Sequence, residues 1–236
     1  MIQTELAMEW DIFLVAGVGS TPSIFNDCTH ELQRRFHESG RDPIIRSLFP
    51  YGDHTQSMLR QIAAVGKDLS RLGTAVRAGG KAIADQVRRL SDGRPALFIG
   101  HSGGGVAAYL GASLLCTQGV ISDCRVIQVG SPKQPIHPDF RSKVSYYFSV
   151  DEEGKRSDPI TRIGSWGGWN KNRFGLLYWD RRKYAPGYIN TITVLGGHPH
   201  YFRGRDPFIH PKRGSNLSLT LNTILNQVTD GDTAIT

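Results

Sequence analysis

Short, unbroken apolar runs alternate along this chain with longer stretches whose apolar residues return every third or fourth position. The runs read as strands buried on both faces of a parallel sheet, and the stretches as amphipathic helices. The first run, Trp10 to Ala16, ends at Gly17-Val18-Gly19-Ser20 and precedes a helix expected from Pro22 to His37. Ile44 to Phe49 is a second strand. From Thr55 to Leu90, Leu59, Ile62, Leu69, Leu72, Val76, Ile83, Val87 and Leu90 fall at largely helical spacing, with Gly79-Gly80 as the expected break. Ala96 to Ile99 is the next strand, and the helix after it should turn Val106, Tyr109, Leu110 and Leu114 inward. Arg125 to Val129, Val144 to Val150 and Tyr188 to Leu195 complete the expected sheet, Tyr188 to Leu195 being its last strand. Asn216 to Val228 closes the chain as a helix with Leu217, Leu221, Ile224, Leu225 and Val228 on one side. This alternation predicts the α/β class: a mainly parallel central sheet, helices on both faces, and a functional site outside the carboxyl ends of the strands.

A chain of 236 residues fits one domain, 1–236, with a full core. The formal charge is +7, yet the cations are mostly scattered. Arg34, Arg35, Lys67, Arg71, Arg77, Lys81, Arg88 and Arg89 fall among expected helix positions and read as solvated faces. With no recognised nucleic-acid motif beside the charge, no nucleic-acid partner is expected. Cys28, Cys116 and Cys124 form no C-x-x-C pair and are odd in number, which points to a reducing compartment over a disulfide framework or zinc site. Met1 to Trp10 carries Glu5 and Glu9 and lacks the basic-then-apolar pattern of a signal peptide. No apolar stretch approaches the roughly 18 residues of a membrane span. A cytoplasmic location is the corresponding expectation.

Chemistry concentrates at Gly100-His101-Ser102-Gly103-Gly104, between the apolar run ending at Ile99 and the next helix. In a G-x-S-x-G turn the serine sits on a strained strand-to-helix corner that glycines leave room for, and the helix N-terminus faces the position of a developing oxyanion. A phosphate-cradling loop is the competing reading, but no Lys-Ser/Thr pair follows to make a P-loop. Ser102 is therefore the candidate nucleophile. A serine needs a histidine to take its proton and a carboxylate to orient that histidine, here expected in the order Ser, Asp or Glu, His. His198 is the candidate base, with His200 as alternative, because both follow the strand ending at Leu195. His101 should point into the sheet edge, and His30, His37, His54, His137 and His210 read as surface or packing residues. Asp158 is the candidate acid, in Asp158-Pro159-Ile160, with Asp151 as the alternative nearer the strand end and Glu152 and Glu153 close by. The oxyanion donors are expected from the backbone N–H groups of Val18 and Gly103.

Gly100-His101-Ser102-Gly103-Gly104-Gly105, Val129-Gly130-Ser131-Pro132, Asp158-Pro159-Ile160-Thr161-Arg162-Ile163 and His198-x-x-Tyr201-Phe202 together resemble, in the same order, the landmarks of class 3, fungal-type lipases of the α/β-hydrolase superfamily. Gly103 stands where that family has leucine, Lys133 where it has arginine, and Ala16-Gly17-Val18-Gly19 lacks its Arg-Gly-Thr-like segment. The resemblance implies an esterase or lipase using Ser102, Asp158 and His198 on a small-molecule or lipid ester, by a route requiring no cofactor and no metal. An acyltransferase or thioesterase on the same triad and a catalytically silent scaffold are the rival readings. Between the acid and the base, 164–188 holds Trp166, Trp169, Phe174, Tyr178, Trp179 and Tyr184 interleaved with Lys171, Arg173, Arg181, Arg182 and Lys183. That loop reads equally as a lid-like segment at an anionic lipid surface and as structural packing.

Overall fold

A computed structural model describes residues 10–69 and 77–232, with side chains through residue 227. Six strands form one wholly parallel sheet: β1 (Asp11–Val15), β2 (Ile45–Leu48), β3 (Ala96–His101), β4 (Cys124–Val129), β5 (Val144–Val150) and, after a hairpin, β8 (Tyr188–Thr193). Their order across the sheet is β2-β1-β3-β4-β5-β8. The chain runs one way from β1 to β2 and the other way from β3 onward. A crevice therefore opens between the carboxyl ends of β1 and β3, where such sheets place their sites.

Alternation along each strand feeds two cores. Phe13, Val15, Phe98 and Val126 face α2 (Met58–Leu69), α3 (Ala78–Arg88) and α4 (Gly103–Thr117), which cover one side. Ile12, Leu14, Leu97, Ile99 and Ile127 face α1 (Asn26–Glu38) and α5 (Asn216–Asp232) on the other. The architecture is α/β, with helices on both faces. At the far end of the first side, Trp166 and Ala185 pack against Tyr146, Phe148 and Val150 of β5.

The fold differs from the sequence reading in several places. Gly79 and Gly80 do not break a helix but lie buried inside α3, where a Cβ on Gly80 would fall 2.5 Å from Leu110 Cβ of α4. α2 is described to Leu69 and α3 from Ala78, and Arg71, Leu72 and Val76 are outside the described residues. On α4, Ala107, Ala108, Ala112 and Leu115 are buried with Val106 and Tyr109, whereas Leu110 and Leu114 are only half-buried. The expected loop 164–188 contains an antiparallel hairpin, β6 (Gly168–Lys171) and β7 (Leu177–Asp180), whose four-residue strands are too short to show alternation. Finally, β8 is the last strand of the sheet but not of the chain: Ile209–His210 (β9) and Gly214–Ser215 (β10) form a small separate ladder before α5. No helix among the described residues is long and apolar enough to cross a membrane.

Candidate active site

The nucleophile corner is built by close packing. Ser102 joins β3 to α4 at φ 57°, ψ −132°, and is the non-glycine residue with positive φ among the described residues. Such a conformation costs on the order of 1–3 kcal/mol and persists only where its surroundings enforce it. They do so through a hydrogen bond from Ser102 N to Val129 O at 3.0 Å and through glycines that no side chain could replace. A Cβ on Gly104 would fall 2.1 Å from Val15 O, and one on Gly100 2.5 Å from Gly105 Cα. Gly103 answers the departure from the leucine pattern, since Val65 of α2 fills the space its Cβ would need, at 2.8 Å.

His198 reaches Ser102 from the short 3-10 turn His198–His200 beyond β8. Its Nε2 lies 2.9 Å from Ser102 Oγ, and its Nδ1 lies 2.9 Å from Asp158 Oδ2. A carboxylate can only accept, so Nδ1 carries the proton and Nε2 is left to receive the serine O–H. Asp158 is fully buried. Its charge is matched by donors: Tyr201 O–H donates to Oδ2 at 2.8 Å, and Ile160 N–H to Oδ1 at 2.9 Å. The Tyr201 oxygen in turn accepts from Ser149 N–H of β5 at 2.7 Å. Gly130, at φ +59°, makes the room for this cluster, because a Cβ there would lie 2.7 Å from both Asp158 Oδ2 and the Tyr201 ring.

The alternatives fall elsewhere. His200 stacks on Phe208 at 4.2 Å and accepts from Gly197 N–H, so it stiffens the loop instead of approaching Ser102. Asp151 accepts from Lys155 N–H in an exposed turn, and Glu152 pairs with Arg213 and His210 at the surface. His30, His37, His54 and His137 are exposed. His101 corrects the expectation that it points into the sheet edge. It is 5% exposed, stacks on the His198 ring at 4.8 Å, and donates from Nε2 to His198 O at 2.9 Å. The β8 loop folds back over the end of β3, and nothing in the local sequence reports that return.

Two further residues hold the site without having been singled out. Asn216, at the start of α5, donates to Leu195 O and His200 O and accepts from Leu195 N–H, tying the histidine loop at both ends. Gln61 of α2 accepts from Gly19 N–H at 2.8 Å and fastens the loop after β1. Gly17 of that loop meets the nucleophile directly, with a Cβ position 2.7 Å from Ser102 Cβ. Val18 N–H follows and has no acceptor among the described residues, while Gly103 N–H opens α4, where the first-turn amides lack helical partners. Both expected oxyanion donors thus lie in the two segments that converge on Ser102.

No family model matches the chain, and no curated protein does. Among solved structures it is similar to the crystal structure of the lin2722 gene product of Listeria innocua, at 13% identity and a TM-score of 0.45, covering 81% of this chain and 87% of that one.

Proposed function

We propose that this chain is a serine hydrolase of the α/β-hydrolase type that cleaves carboxylic esters through an acyl-enzyme on Ser102. The observation that carries the reading is the continuous line from Ser102 Oγ through His198 to a buried, hydrogen-bonded Asp158, set on a positive-φ corner at the sheet's switch point. His198 Nε2 takes the serine proton as Oγ attacks the ester carbonyl. Asp158 holds the tautomer and balances the imidazolium. The tetrahedral oxyanion is received by Val18 N–H and Gly103 N–H, the second aided by the α4 dipole. His198 then protonates the leaving alkoxide and activates the water that releases the acid. The likeness to class 3 lipases in the four motifs favours a lipid ester among carboxylic esters.

The test is intact mass after incubation with a fluorophosphonate, alongside Ser102→Ala, His198→Ala and Asp158→Ala. One adduct is expected, absent from Ser102→Ala, and slowed by at least about a hundredfold in the other two. An adduct that persists in Ser102→Ala places the nucleophile elsewhere, and no adduct on the native chain removes the hydrolase reading.

A further inference from the structure

Among the described residues, exposed apolar side chains gather on two elements: Met58, Leu59 and Ile62 on α2, and a larger set of six on the β6–β7 hairpin. On the β6–β7 hairpin, Phe174 is 72% exposed, Leu176 66%, Leu177 63% and Trp169 61%, with Trp179 and Tyr178 close to half. Isolated exposed apolar residues need no explanation, but a contiguous set marks a surface meant to be covered. Phe174, Leu176 and Leu177 crowd the turn, and behind them Trp169 and Trp179 pair across the strands at 5.5 Å. The turn is held in shape: Asn172 Oδ1 accepts from Phe174 N–H at 2.9 Å and from Leu176 N–H at 3.0 Å.

Charge identifies the partner. From 168 to 183 the chain carries five cations and one anion. The anion, Asp180, is engaged by Asn170 and by Arg182 N–H within the hairpin. Lys171, Arg173, Arg181 and Arg182 stand exposed, and no ion pair among the described residues engages them. Leucine and phenylalanine at a tip, indoles and a phenol behind them, and long cationic side chains that can extend back toward water match the layers of a lipid headgroup region. The segment leading into the hairpin is tied near the site end of the sheet, where Gly164 bridges Lys133 just past the carboxyl end of β4, and the segment leaving it is tied by Gly187 N–H to Arg141 O, just before β5. Leu69 of α2 and Trp179 line one cavity beside it.

We propose that the β6–β7 hairpin docks this protein on an anionic lipid bilayer. The inference does not depend on what Ser102 cleaves. It is tested by co-sedimentation of the full chain with vesicles of phosphatidylcholine alone and of equal parts phosphatidylcholine and phosphatidylglycerol. Binding is expected to the mixed vesicles and not to the neutral ones. The triple change Arg173→Gln, Arg181→Gln and Arg182→Gln should weaken it about a hundredfold, about fivefold per charge. Phe174→Ser with Leu176→Ser and Leu177→Ser should abolish it, with circular dichroism and thermal midpoint kept as the control on folding, and Ser102→Ala should bind like the native chain. Three outcomes overturn the proposal: no binding to mixed vesicles, equal binding to neutral ones, or undiminished binding by the folded hairpin variants. A concentration-dependent dimer that the serine variants abolish, without vesicle binding, would assign the surface to a second copy.

Discussion

The two nitrogens of His101 have opposite fates. Nε2–H is committed to the carbonyl of His198, while Nδ1 is buried without a partner among the described residues. A proton on Nδ1 would create a buried cation with nothing to accept from it, so burial, with His198 adjacent, pushes the group down to about 4. In the unfolded chain the same imidazole titrates near its ordinary value of about 6.5. Between those two values the unfolded chain binds a proton that the folded chain refuses. Stability is therefore lost as pH falls through that window, by up to about 3 kcal/mol once below it. His101→Phe removes the linked proton. The unfolding free energy from urea titrations should fall between about pH 7 and about pH 4 by less in this variant than in the native chain, the difference being about 3 kcal/mol; an equal fall would mean that the buried ring is protonated in place. The contact of Ser102, His198 and Asp158 was legible in the sequence because the chemistry demands those residue types at strand ends in that order. The parts of His101 and Tyr201 were not, since they arise from a loop returning over a neighbouring strand.

At the scale of elements, glycine had no single meaning that the sequence could disclose. The positions and chain order of the six sheet strands were readable from apolar runs, but Gly79-Gly80 looked like a break and proved to be packing, because spacing alone does not say what a bare backbone faces. The consequence is a pair of substitutions with opposite signs. Gly66, within α2, has nothing within 4 Å of its Cβ position, so Gly66→Ala should stabilise by about 0.5–1 kcal/mol through helix propensity alone. Gly111, within α4, faces α3, and a Cβ there would fall 2.4 Å from Ile83 Cγ2 and 3.2 Å from Gly80 O. Gly111→Ala should cost about 1–3 kcal/mol despite the same propensity gain, because α3 must shift off α4. Chemical denaturation of both variants decides this, and a stabilised Gly111→Ala would mean that the α3–α4 crossing is looser than the contact implies.

At the scale of the whole molecule, the two helical layers pack on opposite faces of one sheet, which raises the question of whether they unfold together. The cysteines are placed to answer it. Cys28 of α1 is buried in the core of one layer and Cys124 of β4 in the core of the other, and both thiols are free. Burial pushes the Cys28 thiol up; a hydrogen bond with Cys116, and then burial, do the same to Cys124. Neither should react with a maleimide until its own layer opens. Cys116 is only half-buried and its thiol is lowered, first by the hydrogen bond with Cys124, so it should react in the native protein. The parallel strands run beneath both layers, and β1 to β5 each supply side chains to both cores, so loss of packing in one layer is expected to carry the other with it. Pulsed maleimide labelling along a urea series, read by peptide mass, should therefore give Cys28 and Cys124 one common midpoint, coincident with the loss of circular dichroism. A lower midpoint for either cysteine would show that its layer opens first, and the chain would have to be regarded as two cooperative units sharing a sheet.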